Sequence, residues 1–452
     1  MTDDLHYLSL HEAAACIADR SLSPVTLVDA CIARCTALQP THHAFITLTF
    51  EAARAAARVA QQEIAAGRYR GPLHGIPIAH KDILLTAGVR TTAHSRLLQD
   101  WVPDRDAVAV QLLDQAGAIS LGKTACHEFA FGTPDVDEPF PAARNPWNTA
   151  HMPGSSSSGS GVAVAAGMVM AATGTDTGGS VRHPAAACGI VGMKPTYGRV
   201  SLEGVIPLAP SLDHVGPLTR TVRDNALMLQ ALAGQGAPDF SVRLGSPVRG
   251  MRIGVPGRFI ATVDHTAEVS AAFDRALALL QDLGVALVNI DPEGLDAAFD
   301  AANLIIAYEA AQYHHDDLQR QPEKFGPALR QRLMRGAALS DADYAAARAR
   351  AAELKQTYAA LFADGLDAIA SPGREAPAET MEQLYANPAG KRGITNRIYS
   401  LTGSPAITLS MGFSATGLPL AIQLAAAHGA EPLLYQLADA YECSAGWSKL
   451  HP

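Results

Sequence analysis

An α/β fold is what the 452-residue chain predicts, and three observations carry that reading. Met251 to Val255 and Val285 to Ile290 read as strands flanking a helix, the βαβ pattern of a layered sheet. Ile76 to Ala79 is a short apolar run that suits a strand buried on both faces. With 48% hydrophobic and 17% charged residues, the chain can bury a large core. Its length allows two or three domains, and one extended unit is equally compatible.

In chain order, Ser9 and Glu12 form a capping box that opens a first helix, and Pro24 starts a second running to about Gln39. An alanine-rich helix spans about Glu51 to Ala66. After the Ile76 strand, Asp106 to Gln115 reads as a helix and Ala118 to Leu121 as a short strand. Gly161 to Ala172 reads as a helix of small residues packed closely between layers. Residues from about 298 to 364 are almost wholly helical in pattern, and this region is the candidate cap over substrate access. Strand signals return at Ala368 to Ala370, Ala406 to Leu409 and Leu418 to Gln423, before a last helix from about Pro432. No repeat of solenoid period is present.

Chemistry concentrates in Met152 to Pro195, which holds two serine-bearing, glycine-rich turns separated by an apolar stretch. Gly178 and Gly179 precede Ser180, and backbone freedom there lets several N–H groups converge on a developing oxyanion. A serine on such a turn needs a base to become a nucleophile. Lys81 follows the apolar Ile76 run, where partial desolvation would lower its pKa toward a neutral, proton-accepting amine. A structural lysine bonding backbone carbonyls is an equally good reading of the same spacing.

The HKD context of Lys81, PGSSSSGSG, TDTGGSVRHPAAACGIVGMKPTYGRVS, SLDHVGPLTR and GSPAITLSMGFSATGLPLAIQ together resemble the amidase signature family of Ser-Ser-Lys hydrolases. The resemblance implies a large mixed sheet sandwiched between helical layers, as a single domain over 1–452 with its catalytic core in 65–240. It implies Ser180 as nucleophile and Lys81 as base, with Ser156, 24 positions before Ser180, as the relay serine on a cis peptide bond. The oxyanion hole would be the N–H groups of Thr177, Gly178, Gly179 and Ser180. The chain departs from the family's usual glycines at Ser155 and Ser158. Ser155 and Ser157 then support the relay, Asp176 and Arg182 pair across the nucleophile turn, and Asp213 braces it. Thr175 is open between bonding the relay and satisfying local backbone. Phe129 and Phe131 fall in a region bordering the acyl pocket in the family, one toward substrate and the other toward the core. Glutamine-using members carry an acidic residue shortly before the strand near Ala406, where this chain has Lys391, Arg392 and Arg397.

The implied activity is hydrolysis of a small amide through an acyl-enzyme, with no cofactor and no metal. Carbamates, ureas and esters are open to the same relay. Competing readings are a non-catalytic homologue and an amidotransferase A-type subunit. His42 and His43, His74 and His80, and the His314 to Asp317 run do not show metal-site spacing, and the last reads as a solvated helix face. A net charge of −9 without a basic run argues against nucleic acid. The six scattered cysteines read as free thiols of a reducing compartment, and no apolar stretch reaches membrane-spanning length. The expected setting is the cytoplasm and the expected partner a small-molecule substrate, with no membrane partner and with a homodimer left open.

Overall fold

The computed structural model describes residues 4–134, 137–387, 390 and 392–452. Among them, eleven strands form one mixed sheet. They are β1 (Phe45–Leu48), β2 (Pro77–Lys81), β3 (Ile119–Thr124), β4 (Ala171–Thr175), β5 (Val191–Lys194), β6 (Val215–Thr219), β7 (Arg252–Val255), β8 (Ala286–Asn289), β9 (Ala368–Pro372), β10 (Ala406–Phe413) and β11 (Pro419–Ala426). The order across the sheet is β1-β3-β2-β4-β6-β5-β10-β11-β9-β7-β8. β2 runs parallel to both β3 and β4, and β7 parallel to both β8 and β9, while the six strand pairs from β4 through β9 and at β1 are antiparallel. Every residue of β2, β4, β6, β9 and β11 is buried, as expected for strands covered by helices on both faces. No helix among the described residues is long and apolar enough to cross a membrane.

The capping box at Ser9 forms as expected, with Glu12 N–H donating to Ser9 and the Glu12 carboxylate accepting from Ser9 N–H. The second helix starts at Pro24 and runs past Gln39 to His42, carrying Pro40 in its last turn. β7 and β8 flank the helix Ala267–Asp282 and pair in parallel, so the βαβ pattern is realised. The expected helical region comprises Leu295–Tyr313, His315–Arg320, Pro327–Ala337 and Asp341–Ala363.

Three expectations need correction. The small-residue helix is Ser158–Ala165, and the rest of the expected run turns at Gly167 (φ +69°) and becomes β4. An unbroken run of small apolar residues has no periodicity to mark where helix ends and buried strand begins. His314 is not on a solvated face. It is buried at the junction of two helices, its ring meeting Phe129 at 4.3 Å and Phe325 at 5.4 Å. β5 and β6 went unseen because Gly192, Gly216 and Pro217 read as turn residues. Gly216 is required there, since a Cβ would lie 2.0 Å from Met193 O of the neighbouring strand.

The helix Ser158–Ala165 sets the depth of the site, because it packs backbone to backbone. A Cβ on Gly159 would lie 2.2 Å from Ala44 O and 2.5 Å from Ala125 N, so only glycine permits this approach. Gly159→Ala is therefore expected to lower stability by about 1–3 kcal/mol in denaturant unfolding. An unchanged midpoint would show that these layers can separate freely.

Candidate active site

β2 ends at Lys81, which places the lysine at the end of a fully buried strand beside β4. Its amine lies 2.9 Å from Ser156 Oγ and 2.8 Å from Thr175 Oγ1. The Ser155–Ser156 peptide bond is cis. Burial pulls the Lys81 pKa down to about 8, against the opposing pull of Cys126, Asp176 and Asp213. A neutral amine is therefore accessible near physiological pH.

The structural-lysine reading describes two other residues better. Lys123 donates to Leu84 O at 2.6 Å and lies 3.6 Å from Asp82 Oδ1, and Lys194 donates to Pro195 O at 3.0 Å. Lys81 instead meets two side-chain hydroxyls, one of which, Ser156, opens on a cleft. Thr175, the last residue of β4, has its hydroxyl on the amine rather than on local backbone.

Ser180 is half-buried and lines the same cleft of about 330 Å³ as Ser155 and Ser156. The two serine turns are tied together, since Ser157 N–H donates to Ser180 O at 3.2 Å. Ser157 Oγ also bonds Thr175 O at 3.2 Å, which fixes the relay turn against β4. Ser155 and Ser158 adopt backbone conformations outside the left-handed region, so their Cβ atoms are accommodated where glycine would be usual. Gly154 just before them does need φ +85°, and a Cβ there would come within 2.6 Å of His183 O.

The turn that carries Ser180 is built on the Asp176 carboxylate. It accepts from Gly179 N–H at 2.8 Å, from Val181 N–H at 3.1 Å, and from Arg182 Nε and Nη2 at 3.0 and 2.8 Å. Burial alone would raise the Asp176 pKa, but the Arg182 charge and its hydrogen bonds hold the carboxyl well below the usual range. Arg182 then reaches Asn396 O, Gln423 Oε1 and Ser400 Oγ. Asp213 braces the turn as expected, accepting from Thr177 Oγ1 at 2.6 Å and from the Leu208 and Ala209 N–H groups. One expected oxyanion donor is corrected: Gly179 N–H is already given to Asp176. The N–H groups of Thr177, Gly178 and Ser180 meet no acceptor among the described residues.

The aromatic pair divides. Phe131 lines the cleft, whereas Phe129 (φ +46°) is buried against His314 and Phe325. The far wall comes from segments that the serine motifs do not announce. Phe299, Asn303, Ile306, Arg332 and Arg335 come from the helical region, and Arg392 and Arg397 from the stretch before β10. Lys391 lies outside the described residues. The sequence signal for the arginines was present only as the Arg332-to-Arg335 helical spacing and as the absence of acidic residues in Gly390 to Ala406. Among the described residues no group of three His, Cys, Asp or Glu side chains is arranged to hold a metal ion.

The fold, and the family to which it leads, define the class of a C–N hydrolase. The chain belongs to the Amidase family, whose model matches residues 26–435. The A subunit of glutamyl-tRNA(Gln) amidotransferase from Chloroflexus aurantiacus is 36% identical over 99% of both chains. An amidase crystal structure superposes with a TM-score of 0.86 at 33% identity, covering 96% of this chain and 99% of that one. A structure described as an unexpected vestigial protein complex that reveals the evolutionary origins of an s-triazine catabolic enzyme gives 0.90 at 31%, covering 97% and 99%.

Removing either member of the buried Asp176–Arg182 pair strands a charge in the interior. Asp176→Ala is expected to cost about 3–5 kcal/mol in denaturant unfolding. Asp176→Ala with Arg182→Met should cost clearly less than the sum of the two single changes. Strict additivity would show that the pair is not what holds the turn.

Proposed function

We propose that the protein hydrolyses a small amide through an acyl-enzyme on Ser180, with Ser156 and Lys81 as a proton relay. The observation that carries the reading is a fully buried amine, unpaired by carboxylate contact, within 2.9 Å of the Ser156 hydroxyl in the cleft that Ser180 lines. Neutral Lys81 takes the Ser156 proton, Ser156 takes the Ser180 proton, and Ser180 Oγ attacks the carbonyl carbon. The oxyanion accepts from the unengaged N–H groups of Thr177, Gly178 and Ser180. Collapse expels the nitrogen, which receives the proton back along the relay. Water then attacks the acyl carbon with the same base assistance and frees Ser180. Carbamates, ureas and esters fit the same sequence of steps.

In this reading 65–240 supplies the chemistry and the helices of 298–364 act as a cap, since Phe299, Asn303 and Ile306 wall the cleft. The substrate is a free small molecule. A second reading, the amidotransferase subunit, is favoured by the name of the Chloroflexus relative, identical at 36% of positions over 99% of this chain. Against it stands the wall near β10, where Arg392 and Arg397 occupy the stretch expected to carry a glutamine-reading carboxylate.

Turnover of amide or anilide substrates by the purified chain, without partner or ATP, supports the first reading. Activity only on glutamine, and only with a partner, supports the second. Ser180→Ala should abolish turnover with the fold intact by circular dichroism, and fluorophosphonate should label Ser180 in the wild type. Activity retained in Ser180→Ala, or label mapped elsewhere, would exclude the nucleophile.

The base must be uncharged, so kcat/KM should rise with pH and level off above about 8, the pKa to which burial brings Lys81. Lys81→Ala should lose at least about a hundredfold in rate, the lower range for general-base removal, together with that rising limb. A pH profile identical to the wild type would exclude the amine.

A further inference from the structure

The helical region does more than wall the cleft, because one of its carboxylates reaches the segment that braces the Ser180 turn. Glu309 lies on the helix Leu295–Tyr313, whose Phe299, Asn303 and Ile306 line the cleft. It follows Ile306 by three residues and so shares that side of the helix. Its carboxylate accepts from Ser211 N–H at 3.0 Å, from Ser211 Oγ, and from Tyr344 OH at 2.8 Å, with Arg348 Nη1 3.5 Å away. Tyr344 and Arg348 belong to the helix Asp341–Ala363. The acid thus joins two helices of the cap to one serine of the core.

Ser211 sits inside a turn that Asp213 closes. The Asp213 carboxylate accepts from Leu208 N–H at 2.9 Å and Ala209 N–H at 3.1 Å, while Leu212 N–H and Asp213 N–H donate to Ala209 O at 2.8 and 2.9 Å. Leu208, at the head of the turn, lines the cleft. At its foot, Asp213 takes the Thr177 hydroxyl at 2.6 Å, and His214 and Asp176 exchange backbone hydrogen bonds at 3.1 and 2.9 Å. Glu309 and Thr177 are therefore fastened to the same turn.

Such a turn transmits displacement. Its buried N–H groups have assigned acceptors, so a shift of Ser211 must break one of those bonds or carry the turn with it. A carboxylate suits the outer tie because it accepts from both the N–H and the hydroxyl of one serine. The two acids also feel each other. Burial lifts the Asp213 carboxyl above its ordinary value, the Thr177, Leu208 and Ala209 hydrogen bonds oppose that, and the Glu309 charge adds to the lift. Arg348 partly offsets this second charge.

We infer that Glu309 is a positioning residue: by holding Ser211 it fixes the Leu208–Asp213 turn and, through Asp213, the place of Thr177 at the oxyanion site. Seating of the cap and stabilisation of the oxyanion are thereby coupled. The role given to the Thr177 N–H rests on the amide-hydrolase reading, whereas the tie from Glu309 to Thr177 stands apart from it. A substrate pressed against Phe299, Asn303 and Ile306 bears on the same helix that holds the turn, so contact made far from the scissile bond is felt at the reacting carbonyl.

The test compares Glu309→Ala, Glu309→Gln and, as a control, Tyr308→Phe in the full chain. Tyr308 stacks on Tyr344 at 4.3 Å and donates to Asp341 at 2.7 Å, so its loss loosens the cap without touching Ser211. The rate of fluorophosphonate labelling reads the oxyanion site: Ser180 Oγ bonds phosphorus, its proton passes to the relay, fluoride leaves, and the phosphoryl oxygen gains charge on the way. Glu309→Ala should slow labelling at least about tenfold, a part of the roughly 10²–10³-fold that loss of an oxyanion donor costs. Glu309→Gln keeps an acceptor for Ser211 and should restore most of the rate, and Tyr308→Phe should label like the wild type. On any amide the wild type turns over, the loss should fall on kcat more than on KM. Labelling undiminished in Glu309→Ala, or slowed equally in Tyr308→Phe, overturns the positioning role. If Glu309→Ala does not fold, Ser211→Ala removes the hydroxyl half of the tie and should slow labelling in the same direction; an unchanged rate there overturns the role as well. Hydrogen exchange separates the two readings. Glu309→Ala should speed exchange in peptides covering 173–180 as well as 206–214, and unchanged protection over 173–180 overturns the tie. A wild type that never labels at Ser180 overturns the hydrolase reading, while exchange still decides the tie.

Discussion

Desolvation of one amine without a carboxylate in contact is the constraint around which this molecule is arranged. Lys81 sits at the end of an all-buried strand, and the groups within reach of its nitrogen are the hydroxyls of Ser156 and Thr175. Had Asp176 or Asp213 turned toward it, the ammonium form would have been stabilised and the neutral amine lost near physiological pH. Both are instead occupied elsewhere, Asp176 by Arg182 and backbone N–H groups, Asp213 by Thr177 and the Leu208–Ala209 backbone. Their residual pull on the lysine is electrostatic and distant, and burial outweighs it.

The same carboxylate that is kept from the lysine organises the turn that carries Ser180. Asp176 gathers the N–H groups of Gly179 and Val181, while those of Thr177, Gly178 and Ser180 meet no acceptor among the described residues. Arg182 carries this arrangement outward to the helix Ile394–Thr402 through Asn396 O and Ser400 Oγ, and to β11 through Gln423. Asn396 packs on the turn from the same helix, since a Cβ on Gly179 would lie 2.9 Å from Asn396 Cβ. The helix that supports the turn is thus the one whose Arg397 lines the cleft.

The meeting of the two serine turns with Lys81 was legible in the sequence because its pattern is local. Glycines, serines and a lysine at the end of an apolar run must be adjacent in chain to work, so motif and geometry coincide at Lys81, Ser156 and Ser180. The helical region and the βαβ unit were also legible, since long periodic segments state their period clearly. β5 and β6 were not, because four- or five-residue strands containing Gly216 or Pro217 carry too little pattern to outweigh turn signals. Nor was the loss of Gly179 as a donor, which depends on where the Asp176 side chain folds back. The burial of His314 escaped for the same kind of reason, since its aromatic neighbours Phe129 and Phe325 lie far apart in chain.

The far wall of the cleft belongs to a different class of information. Arg332 is brought to Phe131 from a distant part of the chain by packing of Leu295–Tyr313 against Pro327–Ala337 and Ile394–Thr402. No short motif encodes that meeting, and sequence identity near one third can preserve the whole fold while these side chains change. Likeness to the amidase and to the amidotransferase subunit therefore speaks to the hydroxyl–amine chemistry that all such clefts need. The walls of the cleft are built from segments outside the serine turns and Lys81. In this chain two guanidinium groups lie against aromatic rings in the cleft, Arg332 at Phe131, beside Gly132, and Arg397 at Phe299.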